Sequence, residues 1–255
     1  MIGIYDSGLG GLTAFRELRR LCTDEDIIYL GDTARVPYGT RTKETIKEYA
    51  LQCGKTLEKF RINALLVACG TVSANALSEM KKMFSFPVCG VIEPAVNAAV
   101  KATKSGKIAV LATPATVRSG AFADAIKTAL PGAEVVSRAC PLFVPLVENG
   151  MKSDSEMVKL ACRQYLTDIA QSEIDTVILG CTHYPIIADA ISSFLPGVTL
   201  INSGKEAALS ILPHLSHCES GKNTFLVTDG AASFSENASV FLNSEIGDDV
   251  KQIVL

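Results

Sequence analysis

Short apolar runs alternate with longer amphipathic stretches along nearly the whole of this chain, and that alternation restricts it to one class of architecture. The runs are Ile2–Tyr5, Ile27–Leu30, Ala64–Ala68, Val88–Val91, Ile108–Leu111, Val177–Leu179, Val198–Ile201 and Phe225–Val227. Between them lie Leu12–Leu21, Lys43–Phe60, Val72–Met83, Ala115–Leu130 and Ser155–Ala170, which read as amphipathic helices. A strand buried on both faces reads as an unbroken apolar run, and strands separated by helices of this length pair in parallel. An α/β fold with mostly parallel sheets is expected. Pro94 suits the first turn of a helix, so Val91-Ile92-Glu93-Pro94 marks a junction. From Ile108 the strand–helix pattern restarts. We therefore expect two similar α/β domains, residues 1–92 with 208–255 and residues 93–207, the closing segment returning to complete the first.

Two of the runs end alike. Leu65-Leu66-Val67-Ala68-Cys69-Gly70-Thr71 and Val177-Ile178-Leu179-Gly180-Cys181-Thr182-His183 each lead an aliphatic strand into a cysteine, with a threonine one or two residues on. In open α/β sheets ligands gather at the carboxyl ends of strands. Cys69 and Cys181 thus stand where a ligand is expected, one in each half of the chain. A thiol ordinarily titrates near ~8.5, and helix-start amides or a partner base shift that value. His183 lies two residues past Cys181, and Asp6 ends a strand that can neighbour the one leading to Cys69. Two such groups on opposite sides of one molecule suit a reaction with a base on one face and an acid on the other. The plainer alternative is a pair of buried strand-end cysteines.

Other motifs have plain readings too. Asp6-Ser7-Gly8-Leu9-Gly10-Gly11-Leu12-Thr13 leaves a strand through glycines into a helix, a geometry that attracts anions. Gly8, Gly10 and the later Asp32 fit a dinucleotide fingerprint, but Thr13 fills its third glycine position. No P-loop occurs, and a carboxylate-binding turn suits this backbone better. In Gly31–Gly39, Asp32 and Arg35 are expected to hold the loop in shape, with Tyr38 and Gly39 at its tip meeting a ligand. His214, His217 and Cys218 cluster, but Pro213 and the Ser/Gly-rich flank indicate a solvated helix end, so no metal is expected. On spacing alone Glu148 is a surface residue.

Composition narrows the classes further. With 48% hydrophobic and 20% charged residues the chain is of ordinary globular type. A net charge of −3 argues against nucleic acid or an anionic membrane as the main partner. No apolar stretch approaches the ~18 residues of a membrane span, and Met1–Asp6 reads as a core strand rather than an export signal. Eight cysteines without a C-x-x-C pair point to reduced thiols, hence a cytoplasmic protein. Cys53, Cys89 and Cys162 read as small buried hydrophobes.

Asp6–Thr13, Gly31–Gly39, Ala68-Cys69-Gly70-Thr71, Val91-Ile92-Glu93-Pro94 and Gly180-Cys181-Thr182-His183-Tyr184-Pro185, in this order, resemble the motifs of bacterial glutamate racemase. The resemblance spans nearly the whole chain. It implies a cofactor-independent racemase that supplies D-glutamate for peptidoglycan, with the active site in the cleft between two α/β domains and a homodimeric assembly. It implies that Cys69 and Cys181 are the acid/base pair, Asp6 supporting Cys69, and His183 with Glu148 supporting Cys181. It implies substrate contacts from Asp6, Ser7, Tyr38, Gly39, Gly70, Thr71, Thr182 and His183, and more loosely from Thr113 and Thr116. One departure stands out. The family usually carries asparagine directly after the first cysteine, where this chain has Gly70, and Val72 replaces the alanine that follows. That departure keeps open a racemase of aspartate or another acidic amino acid and a non-catalytic amino-acid-binding relative; a nucleotide-binding oxidoreductase ranks third.

Overall fold

The computed structural model describes residues 1–215, 220–242, 244, 246 and 250–255, so His217 and Cys218 of the histidine cluster lie outside the described residues. The chain runs β1 (Ile2–Asp6), α1 (Leu12–Leu21), β2 (Ile27–Gly31), α2 (Lys43–Glu58), β3 (Ala64–Val67), α3 (Gly70–Asn75), α4 (Leu77–Met83) and β4 (Val88–Gly90). It continues through α5 (Ile92–Ala102), β5 (Lys107–Ala112), α6 (Pro114–Ser119), α7 (Ala121–Ala129), β6 (Glu134–Ala139), α8 (Phe143–Glu148) and α9 (Glu156–Ala170). Next come β7 (Thr176–Leu179), α10 (Ala188–Phe194), β8 (Thr199–Asn202), α11 (Ser203–Ile211), β9 (Asn223–Val227), α12 (Ala231–Leu242) and β10 (Val250–Gln252).

Among the described residues the strands form two wholly parallel sheets, ordered β10-β9-β2-β1-β3-β4 and β6-β5-β7-β8. The order 2-1-3-4 within the first is repeated by 6-5-7-8 in the second, so the expected similarity of the halves extends to topology. The inner strands β1, β2 and β3 of the first sheet are buried on both faces. Ile2 and Ile4 of β1 point to the side covered by α1 and α12, while Tyr5 points to the side covered by α2. This double coverage is why these inner strands have no polar alternation. The core on the α1 side is continuous with that of the second sheet, through Val96 and Ala99 of α5 and Ala207 and Ile211 of α11.

Local chemistry corrects some expected elements. The helix expected over Val72–Met83 is two helices broken at Ala76, and that over Ala115–Leu130 breaks at Gly120, whose φ of 71° glycine adopts without steric cost. Strand β6 is absent from the apolar runs because it is an edge strand with half-exposed, polar-rich sequence Glu-Val-Val-Ser-Arg-Ala. We propose the division 1–92 with 208–255 against 93–207 as the domain limits. Its second limit falls within α11, a helix that packs on α1 and on α5. No described helix is long and apolar enough to cross a membrane.

Candidate active site

In each sheet the order of the first three strands reverses direction. The chain leaves β1 for β2 on one side and places β3 on the other, and β5, β6 and β7 repeat the manoeuvre. The crevice at such a reversal, at the strands' carboxyl ends, is where α/β sheets bind ligands. Asp6 ends β1 and Ser7 follows it, and Cys69 follows β3. In the second sheet Thr113 follows β5, and Cys181 follows β7. The two crevices open into one cavity of about 230 Å³ lined by both thiols. Ser7, Tyr38, Gly39, Gly70, Thr71, Thr113, Glu148, Thr182 and His183 also line it. Asp6 and Thr116, both buried, stand behind this wall.

Cys69 is 5% exposed and caps the start of α3. Its Sγ donates toward Ser7 Oγ at 3.6 Å. Burial pushes the thiol up to about 12, helped by the carboxylate of Asp6, while Ser7 and the Val72 amide pull the other way. Asp6 is fully buried. Its Oδ2 accepts from the Gly8 amide at 2.9 Å, and its Oδ1 has no hydrogen-bond partner among the described residues. Burial raises the Asp6 carboxyl above its ordinary value, against the charge of His183 and the Gly8 and Gly11 amides.

Cys181, 7% exposed, faces a different neighbour. His183 Nδ1 lies 3.9 Å from its Sγ, and His183 Nε2 lies 3.0 Å from Glu148 Oε1. Burial works against a charged imidazole here, but hydrogen bonds to Cys181 and Glu148 outweigh it and push His183 up to about 10. The Phe241 ring packs edge-to-face with the imidazole, centroids 5.4 Å apart at 89°. Glu148 is thus no ordinary surface residue. It ends α8 with its carboxylate 30% exposed and turned onto the imidazole, a placement that spacing alone hides because the two are 35 residues apart, and that only the family resemblance implied.

Around the thiols, hydroxyls from the two halves meet. Thr71 Oγ1 lies 3.0 Å from Thr113 Oγ1, which lies 3.0 Å from Thr116 Oγ1, and Thr116 donates to Thr71 at 3.4 Å. The Gly31–Gly39 loop is held as expected. Arg35 Nε donates to Asp32 Oδ2 at 2.6 Å, and Thr228 Oγ1 donates to Oδ1 at 2.9 Å. Tyr38 reaches the cavity wall, but its hydroxyl is turned inward, donating to Asp32 and accepting from Tyr5 at 3.0 Å. Its contribution at the cavity is ring and backbone, and its phenol is structural.

These bonds exclude the dinucleotide alternative. Asp32 is fully buried and already satisfied, so the fingerprint's acid is not free to meet a ribose. The glycines serve close packing: a Cβ on Gly10 would run into Thr182 and His183, and one on Gly11 into Asp6. Thr13, in the fingerprint's third position, donates to the Thr182 carbonyl at 2.9 Å and so ties the first half to the second half's cysteine turn. No cluster of three metal-ligating side chains occurs among the described residues.

Sequence reasoning did not single out Val36, Pro37, Thr40, Pro114, Cys140, Pro141, Val144 and Pro145, which also line the cavity. Cys140 follows β6, so recognition of that strand would have pointed to it. The Cys140 carbonyl accepts from Tyr184 at 3.0 Å, anchoring the turn that carries Cys181.

Comparison with known proteins agrees with this geometry. The sequence profile of the Asp/Glu/Hydantoin racemase family matches residues 9–211. A glutamate racemase of Aquifex aeolicus is 45% identical over 245 residues, covering 96% of this chain and 95% of its own. The crystal structure of glutamate racemase isoform RacE1 from Bacillus anthracis superposes with a TM-score of 0.93 at 36% identity, covering 100% of this chain and 97% of that one. That of a glutamate racemase from Francisella tularensis in complex with D-glutamate gives 0.91 at 36% identity, covering 99% and 96%.

Proposed function

The chain belongs to the Asp/Glu/Hydantoin racemase family, and within it we propose that it interconverts L- and D-glutamate without a cofactor, Cys69 and Cys181 exchanging protons with the substrate's Cα. One observation carries the reading: both sheets bring a thiol to their point of reversal, and both thiols line the same cavity. Inversion needs a proton removed from one face and another returned to the opposite face. A thiolate on one side takes the α-hydrogen and becomes a thiol. The thiol on the other side gives its proton to the carbanion-like centre and becomes a thiolate. The reverse reaction exchanges the roles.

The α-carbon is a weak acid, so the site must stabilise the charge that builds on the carboxylate side. Ser7, the Gly39 and Gly70 backbone, and the hydroxyls of Thr71, Thr113 and Thr182 supply hydrogen-bonding groups around the cavity. Thr116 orients two of those hydroxyls from behind. The apolar wall of Val36, Pro37, Pro141, Val144 and Pro145 excludes water, which strengthens each of these interactions. His183, held charged by its hydrogen bonds to Cys181 and Glu148, is the partner of Cys181, and Asp6 is that of Cys69. At rest we place the proton on Cys69, whose surroundings favour the neutral thiol.

In the cell the reaction would supply D-glutamate for peptidoglycan, in the cytoplasm and from a homodimer. The test is polarimetry with each pure enantiomer and no added cofactor. Glutamate of either hand should drift to zero rotation. Racemisation of aspartate but not glutamate would shift the substrate, and binding without loss of rotation would sink the catalytic reading.

A further inference from the structure

Gly70 is the position at which this chain departs from the asparagine usual in the family, and the structure gives the position a job of its own. At Gly70 the Cys69 turn meets the Cys181 turn backbone to backbone: a Cβ there would overlap the carbonyl oxygen of Gly180. Backbone, unlike a side-chain tip, has no rotamer by which to step aside. Gly180 also has no room to retreat. Its amide donates to Leu111 O at 2.8 Å, and the place of its own Cβ has Leu111 O at 3.0 Å, Phe122 Cε2 at 3.2 Å and Ala112 Cβ at 3.3 Å.

The opposite side of the seam is equally held. The Ser73 amide donates to Cys69 O at 2.9 Å, Ser73 Oγ donates to Val67 O at 3.1 Å, and Asn75 Nδ2 donates to Thr71 O at 2.8 Å. Each turn carries its thiol one residue from the seam, since Cys69 precedes Gly70 and Cys181 follows Gly180. The contact therefore acts as a spacer between the two sulfurs. Resting on the two-thiol reading above, we infer that Gly70 is a positioning residue that sets the separation of the thiols. In this chain no side chain, the family's asparagine included, occupies position 70 without parting the turns. Restoring asparagine is then harmful, the reverse of what the family pattern alone suggests.

Gly70→Ala and Gly70→Asn test this. Each should melt cooperatively and lose about a hundredfold in kcat in both directions, the scale of a misplacement near 1 Å, with a much smaller change in KM. In each, iodoacetamide should alkylate Cys69 and Cys181 faster than in the unsubstituted protein, because the seam has opened. A Gly70→Asn variant as active as the unsubstituted protein would overturn the inference, as would unchanged alkylation rates. Loss of the cooperative melt would overturn it too, since the seam would then be a requirement for folding rather than a spacer. If the unsubstituted protein failed to racemise glutamate, the functional reading would fall, while the alkylation comparison would still decide whether position 70 spaces the thiols.

Discussion

The two halves carry the same four-strand order and the same cysteine at the same point of reversal, yet they surround those cysteines differently. Cys69 is buried beside the Asp6 carboxyl, and burial and that charge keep its proton on against the pull of Ser7. Cys181 sits beside an imidazole that Cys181 itself and Glu148 together hold charged. A symmetric fold thus builds an asymmetric pair. The lesson is that the fold supplies two equivalent places, and their immediate neighbours decide which group starts as acid.

The largest effects should come from removing either thiol. Cys69→Ala and Cys181→Ala should each lower racemisation in both directions by about 10⁴-fold, the upper range for loss of a general acid or base, with little change in melting temperature. Steady-state polarimetry from each enantiomer checks this. Near-native turnover in either variant would break the comparison at its root.

Smaller substitutions separate the two environments. His183→Gln should cost about a hundredfold and fall more heavily on the direction in which Cys181 is the base. Asp6→Asn should weigh on the opposite direction. If both variants slowed the same direction, the neighbours would not belong to separate thiols. Glu148→Gln should cost about tenfold, the worth of one partly exposed charged hydrogen bond, and should lower the pH at which His183 loses its proton.

The smallest effect is on stability against pH. His183 is raised from its ordinary 6.5 to about 10 in the folded protein. Its charged hydrogen bonds therefore stabilise the fold fully below about pH 6.5 and fade as pH climbs through about 10. Denaturant melts across that range should show a loss that Glu148→Gln reduces. A flat profile in the unsubstituted protein would contradict the pairing.

Much of this was legible in residues. The doubly buried strands announced themselves as apolar runs, and the cysteine turns stood out because each run stopped at small residues followed by a helix. What sequence hid has physical causes. Strand β6 lies at an edge and needs no apolar face on its open side, so neither it nor Cys140 beyond it was visible. Glu148 meets His183 only through tertiary folding, so spacing made it a surface residue and only the family resemblance put it in the site. The glycines of Gly8–Gly11 resembled a phosphate cradle, but Gly10 and Gly11 are spaces filled by Thr182, His183 and Asp6.

The most direct test is α-deuterium incorporation by the single-thiol variants in deuterated water, read by proton NMR from each pure enantiomer. With Cys69→Ala only one hand of glutamate should exchange its α-hydrogen, with Cys181→Ala only the other, and neither should invert. Exchange of the same hand by both variants, or inversion by either, would contradict two thiols working from opposite faces.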